Sequence, residues 1–330
     1  MSAVAKFQLG AASETTWNSG SVVSRFFEII EEKVQPDFER ISVPGLRAGS
    51  RAMRSDRSVP YFKEAAGTFK IPVLSAGFGF WLVHMLGSVA TTGPVAGLST
   101  HRASPGDLLA KGFTWQVNRA THPGDANQAF TFTGGKIHKW TLSCNAGEHV
   151  EAEFDVSFAG QDTSTALVSG SYPTGTVEGF TFVGADVQIN SSSVSFQATS
   201  FKVSCDNKLD RGTYLRSSPA KKEPVQVDLL DVQWELEGDF IDTTQRNKFA
   251  SNVSTGTFAT IVATFTGQVA NSSGTFPSIK VILPAARMDG EDPNITGPDP
   301  LSYKLAGPAF LDATLQGPVY LEYASNDTAP

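Results

Sequence analysis

Alternating apolar and polar positions dominate this chain. Between Lys136 and Phe158, Ile137, Trp140 and Leu142, and then Val150, Ala152, Phe154, Val156 and Phe158, are separated by polar residues. That period of two is the signature of a half-buried strand. The Asn145-Ala146-Gly147 break between the two runs predicts a hairpin turn. Val225–Phe240 and Phe258–Val269 alternate in the same way. Pro and Gly mark loops at Ser99–Lys111, Ser171–Gly175, Arg216–Pro224 and Met288–Pro300.

Two segments depart from this pattern. Residues 71–100 hold no Asp, Glu, Lys or Arg. Ile71–Ala90 is about as long as a membrane span, but Pro72, Ser75, Gly77, Gly79, His84 and Gly87 interrupt it. The spacing of Phe78, Trp81, Leu82, Met85 and Leu86 instead predicts a strand ending at Leu74 and a short buried helix over 78–87, closed by Gly87. Residues 21–34 fit two readings. Phe26, Phe27, Ile29, Ile30 and Val34 suit a helix capped by Ser21 or Ser24, whereas Phe26, Glu28, Ile30 and Glu32 suit a strand.

The order of elements echoes faintly along the chain. LRAGSRAMRSDRS (Leu46–Ser58), AAGTFKIPV (Ala65–Val73) and GGKIHKWTLS (Gly134–Ser143) are followed by LDRGTYLRSS (Leu209–Ser218), LEGDFIDTT (Leu236–Thr244) and FPSIKVILP (Phe276–Pro284). The 330 residues would then divide into two β domains, 1–165 and 166–330. A second short helix would lie at 243–250, capped by Asp242 or Thr243.

Composition narrows the function. The chain is 40% hydrophobic and only 18% charged, with 30 Gly and 23 Phe, which excludes a disordered chain and favours short strands and turns. Its net charge of −7 disfavours a protein that grips nucleic acid by neutralising phosphates. Cys144 and Cys205 are too few for a disulfide scaffold, and MSAVAKFQLGAASETTW lacks the apolar stretch of a signal peptide. A reducing cytoplasm is the expected setting. His138, Cys144 and His149 share no metal-ligand spacing, and Met288–Asn294 lacks the terminal Glu of a calcium loop. Gly77-Phe-Gly79 is no dinucleotide fingerprint, and no phosphate loop or nucleophile elbow occurs. No cofactor is implied. Glu151, Glu153 and Asp155, like Asp231, Glu235 and Glu237, alternate with apolar residues as on a solvated sheet face, not as a catalytic acid pair. Arg40, Arg47, Arg51, Arg54 and Arg57 face only Asp56 nearby. They form a solvated basic loop or an arm that docks on an acidic surface, since Arg pairs bidentately with carboxylates.

The order of features resembles the tail tube proteins of long-tailed, non-contractile bacteriophages, of the kind common in phages of actinobacteria. The x-Gly-x-Phe strand Ala65–Leu74 followed by Gly77–Gly87, ending FWLVHMLG, carries the likeness first. Gly134–Ser143 and the Gly-Glu-x-Val…Phe-x-Gly run from Gly147 to Gly160 follow, then Val232–Phe240 and Phe249–Gly267. In this likeness the core signature is Gly67, Phe69, Trp81, Leu86, Gly87, Trp140, Trp234, Gly238 and Phe240.

The resemblance implies a mainly β fold: a β-sandwich or barrel with a short flanking helix, duplicated in tandem. It implies a strand, not a helix, over Phe26–Phe38, and makes the Arg-rich loop 40–62 an extended contact to the next ring or subunit. Strands of neighbouring subunits would join into an inner barrel, which removes exposed sheet edges. Rings would stack into a hollow tube in the virion tail, assembled in the host cytoplasm. Three two-domain chains would complete a pseudo-hexameric ring, a ring of six chains being the alternative. The implied partners are further copies of the chain, the tape measure protein, and the terminator and tail-tip proteins. DNA would pass an acidic wall without specific binding, and no membrane or catalytic residue is called for. Two other classes compete: a tail-tip adhesin or carbohydrate-binding module with an aromatic platform drawn from Trp17, Trp115, Trp140 and Trp234, and a β-rich glycan hydrolase.

Overall fold

The computed structural model describes residues 6–45, 49, 52–121, 126–193, 198–210, 212, 221–241, 243, 246–247, 250, 256–290 and 301–330. The first half runs β1 (Gln8–Ser13), β2 (Arg25–Phe27), β3 (Glu31–Glu32), β4 (Gln35–Ser42), β5 (Ser58–Pro72), α1 (Gly79–Leu86), β6 (Gly87–Val95), β7 (Leu98–Pro105), β8 (Phe113–Asn118), β9 (Ala129–Asn145), β10 (Glu151–Phe158) and β11 (Gly160–Asp162). The second half runs β12 (Ala185–Ile189), β13 (Ser192–Ser193), β14 (Ala198–Asp206), β15 (Asp231–Asp239), β16 (Ala259–Thr266), β17 (Ser278–Ala286), β18 (Asp289–Gly290), β19 (Ser302–Ala309) and β20 (Tyr320–Ser325). The fold is mainly β, as expected, and its strand pairings are antiparallel.

Two bent strands organise it. In β9, Ala129–Gly135 pairs with β8, whereas Lys136–Ser143 pairs with β10 and Lys139–Asn145 with β14. The change of sheet falls at a glycine pair, because a Cβ on Gly135 would sit 2.7 Å from the Phe113 carbonyl oxygen. In β17, Ser278–Ala286 pairs with β16 and partly with β20, and then Ala286 and β18 run along β19. The result is one inner sheet in the order β4–β5–β10–β9–β14–β15–β19–β18. Behind it lie β2–β1–β8–β9–β11 and β12–β16–β17–β20–β7–β6.

One hydrophobic cluster fills the space between, drawing on both halves: Phe69, Trp81, Trp115, Trp140 and Phe154 with Val203, Trp234, Leu283, Leu305 and Tyr323. Helix α1 covers it from the flank and ends where the sequence placed the stop. Gly87 is left-handed, at φ 88°, and a Cβ there would meet the Gly106 carbonyl oxygen at 2.6 Å. No side chain of the helix's own first turn caps its start. The C-terminal tail meets the chain just before it, where the Gly77 N–H donates to Asp327 Oδ2 at 2.7 Å.

The structure settles the ambiguous stretch as extended. Glu31 and Glu32 pair with Lys70 and Phe69, and Gln35–Ser42 continues down β5, so Phe26–Phe38 is a strand interrupted between β2, β3 and β4. The expected Ser99–Lys111 loop is a correction, because Leu98–Pro105 is β7. Its inward positions are Ser99, His101 and Ala103, too small or polar to announce a strand. Val225–Phe240 becomes regular strand only at Asp231, and Val227 and Leu229 are exposed. Met288–Pro300 is not wholly loop, since Asp289 and Gly290 pair with Ala306 and Leu305; residues 291–300 lie outside the described residues. In the expected 243–250 helix, the Asn247 N–H donates to the Thr243 carbonyl at 2.7 Å and 246, 247 and 250 are helical. Asp242 and the rest of that segment lie outside the described residues.

Candidate functional site

Alternation gives the inner sheet two unlike faces. The residues that turn from the core are Thr68 and Lys70 on β5, Glu151, Glu153 and Asp155 on β10, and Lys139, Thr141, Ser143 and Asn145 on β9. They continue with Ser200, Lys202, Ser204 and Asp206 on β14, Asp231, Gln233, Glu235, Glu237 and Asp239 on β15, and Ser302, Lys304, Ala306 and Pro308 on β19. From Thr68 of β5 across β10, β9, β14, β15 and β19, these residues comprise eight acids against four lysines, and neither an arginine nor an aromatic ring.

Register sets each lysine among acids. One row across the strands reads Asp155, Lys139, Asp206, Asp231, and the next but one reads Glu151, Ser143, Lys202, Glu235. Lys70 reaches Glu151 at 3.1 Å, and Lys304 reaches Glu235 at 2.6 Å and Glu237 at 3.1 Å. The hydrogen bond from Lys304 holds the Glu235 carboxyl below the usual carboxylate range, and the same contact raises Lys304. Lys70 is raised by its hydrogen bond to Glu151. Lys70 and Lys304 are thus engaged by carboxylates of the same face, and its acids outnumber its lysines two to one. Such a surface repels a polyanion, and without rings it offers bases nothing to stack on.

Both edges of the inner sheet are open. Among the described residues β4 pairs only with β5. On its far side β19 is paired at Ala309, Ala306 and Leu305 alone. Exposed main-chain donors and acceptors on such edges recruit further strands.

The sequence profile of the phage tail tube proteins matches residues 5–316. The chain belongs to that family. None of the curated proteins matches it. Family membership makes it a structural component of the virion tail, of a family that is not one of enzymes.

The residues marked by the tail tube likeness take these places. Phe69, Trp81, Leu86, Gly87, Trp140, Trp234 and Gly238 are buried. Gly67 is in β5, where a Cβ would lie 2.3 Å from the Lys33 carbonyl oxygen, and Phe240 packs against the core just past β15. Arg40 is in β4, Arg57 borders β5, and Arg54 is paired with Asp56. Arg47 and Arg51 lie outside the described residues. The aromatic-platform candidates Trp115, Trp140 and Trp234 are core residues, and Trp17 donates to the Gly134 carbonyl at 3.0 Å.

Other polar groups serve the fold. His138 is buried 2.6 Å from Ser157 Oγ, and burial raises the thiols of Cys144, to about 11, and of Cys205. His84 Nε2 lies 3.1 Å from Ser13 Oγ, but burial lowers its pKa to about 4 and its other nitrogen faces the Lys111 carbonyl. Among the described residues no group of three His, Cys, Asp or Glu is placed to hold a metal ion, and no helix is long and apolar enough to cross a membrane. Sequence reasoning missed the ion pairs Lys136–Glu223 at 2.6 Å and Lys221–Glu64 at 2.8 Å, which tie segment 221–224 to the first half. Their partners are 87 and 157 positions apart, beyond any local pattern.

Proposed function

We propose that this tail tube protein polymerises head to tail into rings whose joined inner sheets form the tube wall, with the acidic face lining the channel that DNA crosses during ejection. The observation that carries this reading is a polar face, free of rings from β10 to β19, on a sheet whose edges are largely unpaired among the described residues. DNA carries about one charge per 1.7 Å. A net acidic wall, with Lys70 and Lys304 held by its own carboxylates, therefore lets it pass by repulsion, without a chemical step.

We read residues 1–165 and 166–330 as two tube domains, so that three chains supply the six domains of a ring. The recurrence of the pairings supports this. β1–β8–β9–β11 with β4–β5–β10–β9 is matched by β12–β16–β17–β20 with β14–β15–β19–β18. Within the chain the two inner-sheet halves join through β9 and β14, from Asn145↔Ser200 to Lys139↔Asp206. We infer that β4 of one chain meets the β18–β19 edge of the next in the same manner. The tape measure protein would occupy the lumen before ejection, and terminator and tip proteins would close the tube, which assembles in the host cytoplasm.

Negative-stain microscopy of the concentrated protein tests the reading. Hollow tubes with threefold rings are expected. Discrete monomers would overturn the assembly, and true six-fold rings would overturn the three-chain count.

A further inference from the structure

The two halves of the inner sheet join where β9 pairs with β14, from Asn145↔Ser200 to Lys139↔Asp206. Main-chain pairing of this kind does not choose its partner, since every open strand edge offers the same donors and acceptors. Two buried ion pairs lie just beyond the end of this ladder. Lys136 Nζ, at the bend of β9, meets Glu223 at 2.6 Å, and Lys221 meets Glu64 of β5 at 2.8 Å. The side chains of Lys136, Lys221 and Glu64 are 2%, 6% and 11% exposed, and that of Glu223 is 17% exposed. Lys136 also donates to the Leu108 carbonyl, and the Ala110 N–H donates to Glu223 Oε1 at 2.7 Å.

The pairs are crossed. The first half supplies the cation Lys136 and the carboxylate Glu64, and the second supplies the carboxylate Glu223 and the cation Lys221. A buried pair adds little net stability, because its attraction is spent on desolvation, but removing one partner is costly. Burial pulls the Lys136 ammonium below its ordinary range, and the contact with Glu223 is the main influence that opposes this. The corresponding bend of β17 makes no such demand. Ala285 and Ala286 are buried there, and Arg287 pairs with Asp289 two residues on, each about half exposed. The requirement for a matching charge therefore stands at one bend and not at the other.

We propose that these crossed pairs are the address by which β9 of a first half accepts only a second half, so that the two kinds of half alternate around the ring. A second half brings segment 221–224 to the bend together with β14. A first half offered at the same edge brings no Glu223 and leaves Lys136 buried without that carboxylate, which is how an unpaired charge excludes a wrong partner. The covalent connection through 163–184 then favours the second half of the same chain. The inference rests on the ring-forming reading and adds to it the residues that fix the order of the halves.

Charge exchange between chains tests it. One full-length chain carries Lys136→Glu with Thr141→Cys, and the other carries Glu223→Lys with Ser204→Cys. Thr141 and Ser204 are register partners across the junction, while Cys144 and Cys205 are buried. Each chain is mismatched within itself. In a dimer that exchanges halves, one junction carries the reversed pair and the other the parent pair. Refolded together and then oxidised, the two chains are expected to give a covalent dimer at least about tenfold more abundant than the same cysteine variants give without the charge changes. Equal yields overturn the address. A second measurement does not depend on the reversed chains folding: Lys136→Met, Glu223→Gln and their combination are compared by urea unfolding. Each single variant is expected to lower the midpoint and the combination to regain most of the loss, whereas additive losses overturn the address. Exchange in a chain that forms no tubes removes the ring reading and leaves the pairing rule, and tubes with equal dimer yields do the reverse.

Discussion

The two faces of the inner sheet are built from the same strands, one residue apart, and obey opposite rules. Toward the core stand Phe69, Phe154, Trp140, Val203, Trp234 and Leu305, each at 4% exposure or less. Toward the other side stand only small, polar and charged residues, with lysines interleaved among acids. The first face holds the sheet together by burying rings, some of them closely stacked, such as Phe69 on Phe154 with centroids 4.7 Å apart. The second contributes little to the monomer's stability, because exposed ion pairs are each worth about 0–1 kcal/mol. In the proposed function, its composition answers to what must not bind there. The strand period thus separates the face that holds the fold from the face to which the proposed function is assigned.

The largest expected effect breaks the core face. Trp234 is buried and its indole N–H donates to the Arg287 carbonyl at 3.1 Å. Trp234→Ala removes the ring and leaves that carbonyl without this donor. It is expected to cost about 3–5 kcal/mol, read as a lowered midpoint of urea unfolding. Its neighbour Glu235→Gln is expected to change stability by no more than about 0.5 kcal/mol. Equal costs for the two variants would show that the faces are not energetically distinct.

The next effect changes what the polar face does while sparing the fold. Glu153→Lys, Asp155→Lys and Glu237→Lys together turn eight acids and four lysines into five acids and seven lysines. Short duplex DNA should then bind the protein at low salt, at least about tenfold more tightly than it binds the parent chain, and release as salt rises. Fluorescence anisotropy across a salt series measures this. Affinity unchanged from the parent chain would remove the charge argument for passage.

How much of this was legible beforehand follows from where each signal resides. Alternation marked β9, β10, β15 and β16 because their inward residues are large and apolar. It failed for β7, where Ser99, His101 and Ala103 face inward and His101 is held by Thr91 at 2.9 Å and the Asp327 carbonyl at 3.0 Å. Those partners come from a neighbouring strand and from the far C-terminus, which no local window contains. Both the start of α1 near Phe78 and its stop at Gly87 were legible, whereas the hydrogen bond from Gly77 to Asp327, 250 residues away, was not. The acids of the polar face were visible as an alternating set. Their rows were not, since the juxtaposition of Lys139 with Asp155 and Asp206 depends on register across three strands. The Arg-rich loop stood out by composition, whereas its apolar flank, Phe38, Ile41 and Val59, needed exposures to be seen.

The smallest effect sharpens the polar face itself. Lys304 bridges Glu235 and Glu237, with about half of its side chain exposed, so Lys304→Ala should destabilise the chain by only about 0.5 kcal/mol. The sign of its pH dependence is fixed. Glu235 is lowered in the folded state by its hydrogen bond from Lys304, so the stabilisation is present at pH above the ordinary carboxylate range and is lost as pH falls through it. The difference between parent and variant, followed by urea unfolding, should therefore shrink between about pH 5 and 3. A difference that stays constant over that interval would mean that Lys304 acts through its alkyl stem, and that the cross-strand charges contribute only to the repulsion of DNA.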